Sequence, residues 1–215
     1  MNNSPTQSIC NRPISECKEC DLDASLFCTH KVHDSVTFAI PFLIFSTATI
    51  WGTIRAYQLG TVSLLGELLF FGVYFGYLAF FLQVWENRVM CSHCPYYGRE
   101  DETTLHCYAN FGLKKLWAYH PEPMSRSEQV QFVIGISLLF VTPFIFLLLV
   151  DEYLFAILAL ITGGVWGLIL SFRFCTRCPN FSCPLNHVPK PIRDAYLRRN
   201  AIMYHAWREA GYEIE

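Results

Sequence analysis

VQFVIGISLLFVTPFIFLLLVDEYLFAILALITGGVWGLILSF, residues 130–172, decides the fold. It contains two apolar runs, Val130 to Val150 and Tyr153 to Phe172, separated only by Asp151 and Glu152. Each has the length of about 20 helical residues that a hydrocarbon core requires. Neither shows the polar stripe that a helix on a soluble core turns to water. Both are therefore expected to cross a membrane, with the acidic pair as the tip between them. Working outward, Val62 to Val84 and Val36 to Ile54 have the same character, giving four spans in two hairpins. Composition agrees. Hydrophobic residues are 53% of the 215 and aromatic ones 16%, while charged residues are only 16%, against about 25% in a typical soluble domain. That load excludes disorder, and a chain of this size has too little interior to hide it from water.

The expected fold class is an all-α membrane protein: four transmembrane helices with a cysteine- and histidine-rich, metal-binding cytoplasmic cap. Its segments are an N-terminal Cys/His segment 1–34, hairpin 36–84, a Cys/His loop 85–129, hairpin 130–172, and a tail 173–215 with a cysteine cluster and an amphipathic helix. The polar N-terminal segment has no short apolar region and no small-residue cleavage site, so the first span is expected to be retained rather than removed as a signal peptide. Fifteen of the sixteen Lys and Arg fall in the N-terminal segment, the central loop and the tail. That asymmetry places both termini and the loop in the cytoplasm. The exception, Arg55, is expected to pair with Glu67 across the first hairpin. No span carries a midplane charge or histidine, which counts against proton-driven transport and against haem. Gly72 with Gly76, and Gly163 with Gly167, have the spacing of close helix packing, and Pro143 is expected to kink the third span.

All ten cysteines and all seven histidines lie on the inferred cytoplasmic side. A reducing compartment argues against structural disulfides, so metal binding is the expectation. Three clusters carry it. The first is Cys17 and Cys20 with Cys28, His30 and His33. The second is Cys91, His93 and Cys94 with His106 and Cys107. The third is Cys175 and Cys178 with Cys183 and His187. A Cys-x-x-Cys turn can set two sulfurs on one metal, and each pair is followed by further soft ligands. Helix ends of one bundle lie within one or two diameters of about 10 Å, so Cys91, Cys94, Cys175 and Cys178 are a candidate tetrahedral set. Cys17, Cys20, Cys28 and either His30 or His33 are another. Mixed thiol and imidazole sets favour zinc; the alternative is an iron-sulfur cluster, which the Cys-Pro steps at 178–179 and 183–184 suggest. Glu86, Glu100, Asp101 and Glu102 are carboxylates near the second cluster, but no catalytic motif accompanies them, so an enzyme is less expected than a non-enzyme.

Leu105 to Leu116 is expected to form a short helix, and Ser125 or Ser127 to cap the third span. Ile192 to Ala210 reads as one amphipathic helix whose apolar face packs, in order of expectation, on the metal-bearing region, on a partner protein or into the membrane surface. The cytoplasmic segments hold fifteen basic and fifteen acidic residues, so nucleic acid is not an expected partner. The expected partners are the lipid bilayer and a protein at the cytoplasmic face. The expected function is an accessory or scaffold subunit with structural zinc. The alternatives are a redox subunit carrying an iron-sulfur cluster that passes electrons to a quinone or enzyme, and metal sensing or delivery.

Overall fold

The computed structural model describes residues 9–10, 20–28, 32–99 and 103–215. Helix α1 is Val32–Gln58. Helix α2, Leu64–Phe80, runs on through a π-helical turn, Phe81–Trp85, into the single-turn α3, Glu86–Val89. Helix α4 is Arg126–Leu149, and α5, Tyr153–Ile169, likewise ends in a π-helical turn, Leu170–Phe174. Two short helices close the chain, α6 at Lys190–Leu197 and α7 at Ala201–Glu209. Four helices, Val32–Gln58, Leu64–His93, Arg126–Leu149 and Tyr153–Phe174, are long and apolar enough to cross a membrane. The chain is thus an all-α, multi-pass integral membrane protein. Side chains such as Val73 and Leu149, 70% and 77% exposed, face outward along these helices, as lipid-facing positions do. The metal-binding part of the expected fold class is not found: among the described residues no three His, Cys, Asp or Glu are grouped to hold an ion.

Helix starts follow from local chemistry. Ser63 accepts from the Gly66 amide at 3.2 Å, and Ser125 rather than Ser127 caps α4, in a capping box with Glu128. The tip between α4 and α5 turns on Asp151, whose φ is 63°. Within the bundle α1 packs chiefly along α5, and α4 touches α1, α2 and α5. Of the expected glycine pairs only Gly163 is packed against other helices, a Cβ there lying 3.4 Å from Phe140 and 3.5 Å from Phe45. A Cβ at Gly72, Gly76 or Gly167 would meet nothing within 4 Å, whereas one at Gly135 would strike the buried Phe81 ring. Arg55 pairs with Glu152 at 3.5 Å rather than with Glu67, tying α1 to the α4–α5 tip. Both Glu67 oxygens are buried without a hydrogen-bond partner among the described residues.

Pro143 has a specific remedy. Lacking an N–H, it cannot donate to the Leu139 carbonyl one turn earlier, and hydrocarbon offers no water in exchange. The Tyr74 hydroxyl of α2 donates to that carbonyl at 2.9 Å, and Tyr77 donates to Gly135 O at 2.7 Å. The proline thereby creates a tie between spans two and three.

Beyond the spans the polar segments form a cap with its own core. Tyr196 and Trp207 pack with Cys94, Tyr96, Phe181 and Leu26. The Tyr196 hydroxyl and the Asn200 amide donate to Ile9 O, Tyr96 donates to Phe27 O, and the Phe27 amide donates to Arg177 O. The single amphipathic helix expected over 192–210 is broken between Leu197 and Ala201. There Asn200, held against Ile9, accepts from the Met203 amide at 3.1 Å and starts a new helix. The helix expected over Leu105 to Leu116 is absent too. An antiparallel bridge pairs Thr104 with Lys114, and Gly112, at φ +84°, turns the chain back.

Replacing Tyr74 with Phe should lower stability in detergent unfolding titrations by about 1–3 kcal/mol, the cost of an unsatisfied buried carbonyl. In a Pro143→Ala background, where the helix supplies its own N–H, the same replacement should cost much less; an equal cost in both backgrounds would contradict the tie.

Candidate functional site: a thiol-lined cavity

Each π-helical turn is followed by a Cys-x-x-Cys-Pro sequence: Cys91 to Pro95 after the first, across the single turn of α3, and Cys175 to Pro179 directly after the second. Together with the central loop they enclose a cavity of about 170 Å³ at the junction of bundle and cap. Six cysteines line it, namely Cys91, Cys94, Cys107, Cys175, Cys178 and Cys183. Its largest wall is aromatic. Phe27 meets Tyr108 edge-on at 4.7 Å and Phe174 at 5.5 Å, and Phe38 bridges Phe174 and Trp166 at 5.3 and 5.5 Å. Arg177 stacks on Phe27 at 4.4 Å but is not among the lining residues. Phe132 and Ile136 of α4 complete the floor.

These thiols do not converge as metal ligands do, and neither zinc nor an iron-sulfur cluster has a ligand group among the described residues. The reason is local. In the 91–94 turn the two side chains part company: Cys91 packs with Tyr97 and Leu105, while Cys94 enters the cap core with Tyr96 and Tyr196. Several cysteines accept hydrogen bonds from protein donors. The Asn110 side-chain amide donates to Cys91 Sγ at 3.1 Å and its backbone N–H to Cys107 Sγ at 3.3 Å. Arg199 donates to Cys20 Sγ at 2.7 Å. Cys28 is buried in the cap core, apart from the cavity. No disulfide forms among the described cysteines.

The histidines are dispersed. His93 Nδ1 lies 2.8 Å from Glu122 O and its Nε2 3.4 Å from Glu128. His106 packs edge-on against Phe111, His33 lies 3.7 Å from Asp34, and the His187 amide donates to Cys175 O at 2.9 Å. Cys17 and His30, with Glu100, Asp101 and Glu102, lie outside the described residues. The expected zinc scaffold, iron-sulfur redox and metal-delivery functions therefore lose the site on which they rested.

Burial in an apolar wall disfavours the thiolate. It pushes Cys107 up to about 11, with Glu86 adding to the effect, and Cys183 up to about 12, and raises Cys94 and Cys178 as well, where neighbouring cysteines add to it. These groups are neutral thiols at pH 7, small and soft rather than nucleophilic.

Two polar groups in the wall are left incomplete. Glu86 and Asn110, 4% and 2% exposed, each carry a buried oxygen, Oε2 and Oδ1, with no hydrogen-bond partner among the described residues. Sequence reasoning noticed Glu86 only as one of several acids near a metal, and it missed Asn110, an ordinary loop residue by every local signal.

No protein-family model matches this chain, and no curated protein or solved structure matches it.

Alkylation of Cys107 by iodoacetamide, followed residue by residue with mass spectrometry, should still rise about tenfold per pH unit between pH 8 and pH 10, since the thiolate fraction climbs until about 11. An ordinary thiol levels off near 8.5 to 9; the same plateau for Cys107 would show that its burial is not maintained in solution.

Proposed function

We propose that this protein is a four-span membrane protein, with both termini and the cap in the cytoplasm, that binds a small apolar molecule at the junction of bundle and cap. The orientation is supported by the Lys and Arg asymmetry, which leaves Arg55 alone on the opposite side. The binding role is carried by one observation: a partly enclosed, largely aromatic cavity lined by two buried polar residues, Glu86 and Asn110, each with one oxygen that has no partner among the described residues. Apolar concavities with a few placed polar groups are the usual form of a small-molecule site. Its contributing segments add a second strand of support. The N-terminal segment supplies Phe27, α1 supplies Phe38, the central loop Tyr108 and α5 Trp166. A ligand seated there touches both hairpins and the cap, so its binding is coupled to how the cap sits on the bundle. Binding thus gives the bilayer-embedded chain a means of presenting an altered cap to a cytoplasmic protein partner.

Orientation is tested by labelling. A membrane-impermeant maleimide should modify no cysteine in intact cells and several, Cys20 among them, after permeabilisation; labelling of the cap cysteines from outside would reverse the assignment. Binding is tested on the full chain in lipid nanodiscs with toluene as probe. Occupancy should slow alkylation of Cys107 and Cys183 at least twofold while leaving Cys20, outside the cavity, unchanged. Equal rates with and without toluene at saturation would overturn the binding role.

A further inference from the structure

The sequence Trp85-Glu86-Asn87 places two polar residues directly after the first π-helical turn, at the inner end of a long apolar span. Their fates differ. The Asn87 side-chain amide donates to Lys114 O at 2.8 Å and holds the central loop against the helix. Glu86 turns to the cavity, its Oε2 buried and unmatched. Beside it the Asn110 side chain hydrogen-bonds Glu86 and donates to Cys91 Sγ, so the atom of Asn110 left over is its oxygen. The atoms left without a partner among the described residues are therefore two oxygens, Glu86 Oε2 and Asn110 Oδ1. Of the other polar side chains in the lining, Asn180 donates its amide to Met90 O and accepts from Ser182, and the Tyr96 hydroxyl donates to Phe27 O.

Sign and size then restrict the occupant. No Lys or Arg is among the lining residues, so a carboxylate or phosphate would meet an acidic side chain and no counter-charge. A molecule with acceptors alone would leave both oxygens unsatisfied. A cavity of about 170 Å³ is close to the roughly 150 Å³ that accommodates benzene in an engineered protein interior. The faces and edges of Phe27, Phe38, Trp166 and Phe174 offer such a ring offset and edge-to-face contacts. Nearby thiols add soft, polarizable surface in place of further polar groups.

Resting on the binding role proposed above, we infer that the ligand is a benzene-sized ring bearing a hydrogen-bond donor, a hydroxyl or amine, which Glu86 and Asn110 receive. The ring lies against the aromatic wall, and the donor points to the end of α3. This chemistry distinguishes a phenol or aniline from a bare hydrocarbon and from a benzoate of the same size.

The experiment compares phenol, aniline, toluene and benzoate on the full chain in nanodiscs, with each concentration expressed as the free aqueous value. The readout is slowed alkylation of Cys107 relative to Cys20. Phenol or aniline should protect at a concentration about tenfold below toluene, the order expected of one good buried hydrogen bond, and benzoate should not protect. In Glu86→Leu, or in Asn110→Leu should the first fail to fold, the preference over toluene should shrink to less than threefold while toluene still protects. Toluene protecting as well as both donors, benzoate protecting as well as phenol, or an undiminished preference in the variants would each overturn the donor assignment and leave the binding role standing. Protection by none of the four would overturn both.

Discussion

Hydrocarbon offers no hydrogen bonds, and the whole molecule is arranged around that fact. Within the spans each backbone group must find its partner in its own helix or in a neighbour. Serine and threonine hydroxyls of α1, such as Ser46 and Thr49, return to carbonyls one turn earlier, at 2.9 and 3.1 Å. Where the helix cannot serve itself, another span does so, as Tyr74 does for the carbonyl opposite Pro143. Helices that must stay closed over such lengths cannot fold back to bury polar segments between them. Those segments collect at the helix ends and build a cap from parts of the chain more than a hundred residues apart, as in the bond from Tyr196 to Ile9 O.

The same exclusion of water decides what the cysteines are. A thiolate is a metal ligand only when its charge can be supported, and a site forms only where several sulfurs face one point. Here the junction is apolar, the sulfurs are spread around a wall, and amide N–H groups from Asn110 already meet two of them. Six small thiols between aromatic rings leave a space that larger aliphatic residues would fill.

Much of the fold was readable because span length and apolar content are additive along the chain. Val130 to Val150 and Tyr153 to Phe172 match α4 and α5 with its π-helical extension to within a few residues. Tertiary partners were not readable. Arg55 was assigned to Glu67, its neighbour across a tight turn, but the tip of the other hairpin lies closer and Glu152 takes it. Cys-x-x-Cys spacing states how far apart two residues are, not which way each side chain turns, and Cys91 and Cys94 turn to different clusters. The π-helical turns hide Glu86 for a related reason. Each inserts a wider turn into the helix, so the 3.6-residue phase read from the apolar span no longer says which side the following residues face. Asn110 gave no signal at all, since its role depends on a loop fold set by the Thr104–Lys114 bridge and the left-handed Gly112.

Stability alone does not account for Glu86 and Asn110. A buried acceptor without a partner costs about 1–3 kcal/mol, and a carboxylate more. A leucine at position 86 would fill the wall between Met90 and Phe132 without that cost, just as apolar replacements of buried ionic groups are often neutral or stabilising. Asn87, one residue on, also leaves its Oδ1 without a partner among the described residues, but its amide fastens Lys114 O and it does not line the cavity. Glu86 bonds the Asn110 side chain of the central loop but keeps Oε2 without a partner among the described residues, at a place where helix, loop and both hairpins meet around a common space. On the proposed binding role, such a polar group is understood by what it would receive, and the wall around it, aromatic and without Lys or Arg, suits a small ring with a proton to share.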